Sequence, residues 1–191
     1  MSIHDDPSVH PASATEWGAW LAEHHARSRG VWVRLDDRTG RDGRLAYEDA
    51  VCEALCWGWV DGQTRSGDEL GSQIRFTPRQ ARSAWAATNK ARVERLEAEG
   101  RLRPPGHAVI EEAKANGMWN VLDGPEAGVE PDGLRAALDA SPTARQFWDG
   151  LSMSARKYAL TQVALAKRPE TQAARIQKIV DQCDAHVRPD R

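Results

Sequence analysis

The sequence predicts an α+β fold in which a small antiparallel sheet of about three strands is packed by about seven helices. Short segments of alternating or β-branched apolar residues occur only in the first part of the chain, up to about residue 78. Beyond them, apolar residues recur at the three- and four-residue spacing of helices. The 191 residues, 40% hydrophobic and 28% charged, are typical of a soluble globular protein with one well-buried core.

The first elements are predicted in chain order. Residues 1–12 contain two prolines and few apolar side chains, so we expect a flexible arm. A helix capped by Ser13 or Thr15 follows, and "VWVRL" (31–35) alternates as a strand does. "YEDAVCEALCWG" has an apolar stripe at helical spacing and ends in glycine, which predicts a short buried helix.

The next segments predict a hairpin followed by helices. "WVDGQTR" and "SQIRFTP" are expected to pair as antiparallel strands across "SGDELG". Helices are expected from Ser83 to about Glu99 and from Pro105 to Gly117, with an acidic loop over 120–130. Four more helical segments follow: "PDGLRAALDA", "SPTARQFWDGL", "SMSARKYALTQVALAKR" and "PETQAARIQKIVDQC". We predict an α+β domain at 13–140, a helical extension packed on it at 141–183, and a tail at 184–191.

Composition narrows the functional classes. No apolar segment reaches membrane-span length and the first 30 residues lack a signal sequence, so we expect a cytoplasmic protein without membrane contact. Cys52, Cys56 and Cys183 lack the paired spacing of disulfides or zinc sites and are predicted to be buried apolar residues. We expect no metal and no cofactor.

The hairpin suggests a ligand site. With a register symmetric about Asp68, one face of the sheet carries charged and aromatic side chains together. The predicted cross-strand pairs are Asp61 with Arg75, Trp59 with Thr77, and Gln63 with Gln73. Trp57 is then expected in the core and Trp59 on the polar face. Such a cluster of rings and guanidinium groups suits planar or anionic ligands, and the alternative is a solvated or helix-covered face.

Asn89 is a second candidate for the ligand site. It lies on the apolar stripe of its helix, four residues after Trp85 and four before Val93. A buried amide needs hydrogen-bond partners, which either a backbone turn or the predicted pocket would supply.

Three segments carry a family resemblance: "YEDAVCEALCWGWVDGQTR", "RFTPRQARSAWAATNKARVERLEAEGRLRPPG" and "AKRPETQAARIQKIV". Together they resemble the YdeI/OmpD-associated family, also called bacteriocin-protection proteins, over about residues 15–183. The resemblance implies a small bacterial protein linked by name to resistance against bacteriocins or cationic peptides, with no catalytic mechanism attached. A porin association does not fit a chain without a signal sequence. The positions in the family motif are Glu48, Trp59, Asp61, Arg75, Phe76, Thr77, Arg79, Trp85 and Asn89.

Three functions are compatible with these patterns. The first is a non-catalytic binding protein with a basic, aromatic-lined pocket for an anionic or planar small molecule. Its predicted ligand-binding residues are Glu48, Trp59, Asp61, Arg75, Thr77, Arg79, Trp85 and Asn89. The second is an enzyme that uses Asp61 or Glu48 as general acid or base. The third is nucleic-acid binding through basic zones at 73–103 and 141–191, which the sequence pI of about 6.3 disfavours.

Overall fold

The computed structural model describes residues 6–35, 45–65 and 72–189, and these contain nine helices and four strands. The strands are β1 (Ser8–Val9), β2 (Val31–Arg34), β3 (Trp59–Arg65) and β4 (Gln73–Pro78). The helices are α1 (Ala14–His24), α2 (Tyr47–Cys56), α3 (Ala87–Ala98), α4 (Pro104–Ala115), α5 (Asp123–Ala127), α6 (Asp132–Asp139), α7 (Pro142–Asp149), α8 (Met153–Ala164) and α9 (Pro169–Asp184). The α+β class is confirmed. The predicted turn at "SGDELG" lies outside the described residues.

The chain divides into two compact units. Unit 1 comprises Met1–Ser83 and Thr88–Asn116, and unit 2 comprises Ala84–Ala87 and Gly117–Arg191. The strands lie in unit 1 and α5 to α9 lie in unit 2. The domain boundaries inferred from the sequence stay predictions.

The sheet of unit 1 is mixed and has four strands in the order β1-β2-β4-β3. β1 pairs parallel to β2, whereas the β2–β4 and β3–β4 pairs are antiparallel. The prediction of a purely antiparallel sheet of about three strands was therefore wrong. It missed β1, which consists of only two residues within the expected arm, because a two-residue strand shows no alternation.

The predicted hairpin register was also wrong. Asp61 lies opposite Phe76 and Trp59 opposite Pro78, and the register shifts again between Asp61 and Thr64. Residues that face each other across a strand pair share one side of the sheet. Trp59 and Asp61 therefore lie on the Phe76 side, away from Arg75. A one-residue slip moves every side chain of a strand to the opposite face.

The helices of unit 1 cover the Phe76 side of the sheet. Of the two predicted caps, Ser13 and Thr15, it is Ser13 that caps α1: its hydroxyl accepts a hydrogen bond from the Glu16 amide at 3.2 Å. Trp17 of α1 is fully buried, its ring lies 5.4 Å from that of Phe76, and its indole donates to the Ala50 carbonyl of α2 at 3.1 Å. Apolar burial and a shared hydrogen bond thus fix α1 and α2 on the sheet.

Unit 2 is helical in its described part. Its core is formed by apolar side chains of α6 to α9 and includes the fully buried Trp148. The acidic segment expected to be a loop contains the short helix α5, which ends at Gly128 in the left-handed conformation at φ 71°. Helix α3 begins at Ala87, four residues after its predicted start at Ser83. No described helix has the length and apolar character needed to span a membrane.

Candidate functional site

The two tryptophans of the hairpin region are placed opposite to expectation. Trp59 is only 1% exposed, and its ring packs in a T-shaped arrangement with that of Trp20, with 5.9 Å between the ring centroids. Trp57 is half-buried and lies at 4.8 Å from the His25 ring. Because the register differs from the symmetric one, Trp59 belongs to the core and offers no surface to a ligand.

Arg75 is occupied within unit 1. Its guanidinium donates to Asp6 through Nε at 2.7 Å, and Nη2 lies 2.5 Å from the same carboxylate oxygen. The pair sits over Gly30, where an added Cβ would lie only 2.7 Å from the Asp6 carboxylate and 2.8 Å from Nη2 of Arg75. Glycine at position 30 therefore makes room for an ion pair that holds residue 6 against the sheet.

Asp61 interacts with Tyr47 at the start of α2. The Tyr47 hydroxyl donates to Asp61 Oδ2 at 2.6 Å. Burial and this hydrogen bond raise the pKa of Tyr47 to about 12. Arg79 is buried nearby, and burial lowers its pKa to about 10 against the opposing influence of the Asp61 charge. These contacts place Asp61 as a hydrogen-bond acceptor within a local polar network.

Glu48 is the centre of a larger network on α2 and α3. Arg92 binds both carboxylate oxygens, with Nη2 at 2.6 Å from Oε2, and Arg95 donates to Oε1 at 3.1 Å. Asn89, predicted to sit on an apolar stripe, accepts from Arg92 Nη1 at 2.8 Å. The Cys52 thiol donates a hydrogen bond to Glu48 Oε1 at 3.5 Å and completes the group. Asn89 thus orients an arginine, and we call these five residues the Glu48 network.

The Glu48 network predicts an acid-sensitive contribution to stability. Arg92 and Arg95 hold the pKa of Glu48 at about 2, below its ordinary value of 4.5, so the unfolded chain takes up this proton first. The contribution is complete above about pH 4.5 and is lost as the pH falls towards 2. Glu48 is 48% exposed, so solvent screening limits the effect to about 1 kcal/mol.

Urea unfolding at pH 5 and pH 3 tests this expectation. The loss of unfolding free energy between the two pH values should be smaller in Glu48→Gln than in the native protein. An identical loss in both proteins would contradict it.

The remaining predicted residues lie apart from these contacts. Thr77 is half-buried opposite Val60, and Trp85, in unit 2, is 1% exposed with its ring 4.9 Å from that of Trp119. Within unit 1 the predicted residues contribute to three separate groups: the Arg75–Asp6 pair, the Tyr47–Asp61 pair and the Glu48 network. They do not share the single polar face that the symmetric register predicted, and a role for them in ligand binding stays a prediction.

Unit 2 contains a cavity that was not predicted from the sequence. It lies between α8 and α9, has a volume of about 150 Å³, and is lined by Tyr158, Gln162, Arg175, Lys178, Ile179 and Gln182 among others. Residues 175, 178, 179 and 182 follow one face of α9, and 158, 159 and 162 follow one face of α8. We call this cavity the α8–α9 pocket. The sequence pattern had indicated Arg175 and Lys178 only as part of a basic zone.

The α8–α9 pocket is positively charged. Arg175 donates to the backbone carbonyl of Gln162, which ties it to the opposite helix. Among the residues that the structure describes, neither Arg175 nor Lys178 forms an ion pair, and no described lining residue is a carboxylate. Elsewhere in unit 2, by contrast, Arg145 and Lys157 are each paired with a glutamate.

Two protein-family models match different parts of the chain. Residues 9–109 match the model of a domain of unknown function, DUF8412, which is just over half of the chain. The chain belongs to this family. Residues 128–186 match the OmdA model, described as bacteriocin-protection, YdeI or OmpD-associated. No curated protein and no solved structure matches the chain.

The comparison confirms the resemblance to the YdeI/OmpD-associated proteins and locates it. The OmdA domain contains α6 to α9 and all the α8–α9 pocket residues named above. The two upstream segments that suggested the resemblance, residues 47–65 and 75–106, fall entirely within the DUF8412 match. Among the described residues, no group of three or more His, Cys, Asp or Glu side chains could hold a metal ion.

Proposed function

We propose that the protein is a non-catalytic binding protein whose OmdA domain takes the oxyanion group of a small molecule in the α8–α9 pocket. The observation that carries this proposal is the pair of cationic side chains, Arg175 and Lys178, in a cavity whose described lining contains no carboxylate. An oxyanion would supply the opposite charge and accept hydrogen bonds from both side chains.

The donor groups of the pocket support an oxyanion ligand. A guanidinium has five N–H donors and an ammonium has three, so the contact with Gln162 leaves Arg175 with further donors. The amides of Gln162 and Gln182 and the hydroxyl of Tyr158 add neutral donors around the same cavity. A phosphate, sulfate or carboxylate group offers acceptors in several directions and therefore suits this arrangement.

The size of the pocket limits the ligand. Sites for drug-sized molecules usually enclose about 300–1,000 Å³, whereas this cavity measures about 150 Å³. It holds a charged head group, and the rest of the ligand remains outside. The named lining residues include neither a carboxylate nor a serine or cysteine nucleophile, which favours binding over catalysis. A cytoplasmic location, expected from the sequence pattern, and a role in bacteriocin resistance, suggested by the family description, belong to this proposal.

Neutralising Lys178 should weaken oxyanion binding. We expect Lys178→Gln to raise the Kd for pyrophosphate about ten-fold, because it removes one charge-assisted hydrogen bond worth about 1.5 kcal/mol. Isothermal titration calorimetry at low ionic strength measures the effect. Lys167→Gln is the matched control, since Lys167 is an exposed lysine of unit 2 outside the pocket lining.

Two results would contradict the proposal. One is equal binding of pyrophosphate by Lys178→Gln and the native protein. The other is binding of a single-stranded oligonucleotide by a native protein that does not bind pyrophosphate, which would favour nucleic-acid recognition by the basic zone.

A further inference from the structure

The antiparallel packing of α8 and α9 gives the α8–α9 pocket two distinct ends. Only residues 165–168 join the two helices, so they run in opposite directions. The hydrogen bond from Arg175 to the Gln162 carbonyl sets their alignment. Tyr158 lies about one turn before Gln162 on α8, and Gln182 lies about two turns after Arg175 on α9. Tyr158 and Gln182 are therefore displaced along the pocket in the same direction from the Arg175–Gln162 contact.

The lining residues without a charge or an amide lie at this displaced end. Ala159 precedes Gln162 by three residues, and Ile179 follows Arg175 by four, so both lie on the Tyr158 side of the contact. Ile179 is 4% exposed and belongs to the core of unit 2. The pocket thus combines a cationic end with an end that is largely apolar.

A turn at the end of α9 returns the chain to the apolar end. His186 has the left-handed conformation at φ 56°. Its amide donates to the Cys183 carbonyl at 3.0 Å, and the Val187 amide donates to the Gln182 carbonyl at 2.8 Å, which is the pattern that reverses a chain after a helix. Pro189 is thereby brought back to line the pocket, and its ring adds a further apolar group.

The Tyr158 ring is open to a ligand. Tyr158 is 46% exposed, which is unusual for a large aromatic side chain that lines a cavity. Among the residues that the structure describes, no aromatic ring packs against it, face to face or edge-on. A second ring placed on Tyr158 would remove apolar surface of both rings from water and add the attraction of an aromatic pair.

We propose that the ligand of the α8–α9 pocket is an aromatic oxyanion, in which a phosphate or carboxylate group is attached to an aromatic ring. The inference rests on the proposed function, because the oxyanion is held by Arg175 and Lys178 as described above. The ring lies outside the small cavity, on the exposed part of Tyr158. One helical turn separates Tyr158 from the Arg175–Gln162 contact, about 6 Å along the axis, and a single aryl group bridges this separation. A simple inorganic anion would leave the Tyr158 ring in water.

Phenyl phosphate and methyl phosphate test this proposal, because the two esters carry the same anionic group and differ in the aromatic ring. Isothermal titration calorimetry should give a Kd for phenyl phosphate about five-fold lower, which corresponds to the roughly 1 kcal/mol of an aromatic pair. Equal affinity for both esters would overturn the aromatic assignment and leave the oxyanion pocket in place. Absence of binding of either ester would overturn both proposals.

Variants of Tyr158 supply the second measurement. Tyr158→Ala should reduce the preference for phenyl phosphate to less than about two-fold, and Tyr158→Phe, which keeps the ring, should restore it. Met153→Ala is the matched control, since Met153 is a 53% exposed apolar residue of the same helix outside the pocket lining, and it should keep the five-fold preference of the native protein. An unchanged preference in Tyr158→Ala, with its fold confirmed by circular dichroism, would also overturn the proposal.

Discussion

Replacing Glu130 by alanine should lower the free energy of unfolding by about 3 kcal/mol, one of the two largest losses that we expect. Glu130 accepts two hydrogen bonds from Arg145, at 2.8 and 2.9 Å, and one from the Trp148 indole at 2.8 Å. Its side chain is only 16% exposed and that of Arg145 is 24% exposed. Removal of one partner from a fully buried ion pair costs about 3–5 kcal/mol, because the other charge stays away from water, and this pair is largely buried.

The expected loss lies at the lower end of that range because Arg145 keeps other partners. It also contacts Asp149, whose side chain is 56% exposed, and lies 3.7 Å from Asp139. Asp149→Ala is therefore the matched control and should cost about 0.5 kcal/mol. Urea denaturation followed by circular dichroism measures both changes. Equal losses in the two variants would show that the buried carboxylate has no special role.

The second large effect is expected for Gly106→Ala at the start of α4. A Cβ at this position would lie 2.4 Å from the Cys56 carbonyl oxygen and 2.9 Å from that of Leu55. Both atoms belong to the backbone of α2, and the Cys56 carbonyl also accepts the Arg103 amide at 3.0 Å. Because the contact is between backbones, no side-chain rotation relieves it, and we expect a loss of about 3 kcal/mol.

Gly62→Ala is the control for this substitution. A Cβ at Gly62 would lie 3.5 Å from the Arg75 carbonyl oxygen, an ordinary contact, and the residue is exposed. The free energy of unfolding of Gly62→Ala should differ from that of the native protein by less than about 0.5 kcal/mol. Thermal unfolding of the two variants separates the cases. If Gly106→Ala unfolds at the same temperature as the native protein, the packing of α4 against the backbone of α2 does not require glycine at this position.

The helices were more predictable from the sequence than the sheet. The stripe of α2 and the cap of α1 were confirmed because their signals are local: apolar spacing, and a serine before the first turn. The strand register depends on which residues pair across a segment whose geometry the sequence does not specify. The shift between Asp61 and Thr64 could not be predicted from alternation, and it reversed the inferred side for Trp59.

The candidate site shows the same limit. A ligand-binding role for Glu48 and Asn89 stays a prediction. The sequence spacing of Asn89, Arg92 and Arg95 could have identified a polar face of α3 facing Glu48. Arg75 could not be recognised as occupied, because its partner Asp6 is 69 residues away in the chain. The α8–α9 pocket depends on how two helices pack, which the charge pattern of either helix alone does not reveal.

The most direct test of the central proposal is to map the pyrophosphate site by ¹H–¹⁵N NMR titration of the whole protein at low ionic strength. The proposal predicts saturable shifts concentrated at Arg175, Lys178 and Gln182 of α9 and at Gln162 of α8. Shifts absent from these residues, or spread evenly over the exposed basic residues of the chain, would contradict an oxyanion pocket in the OmdA domain.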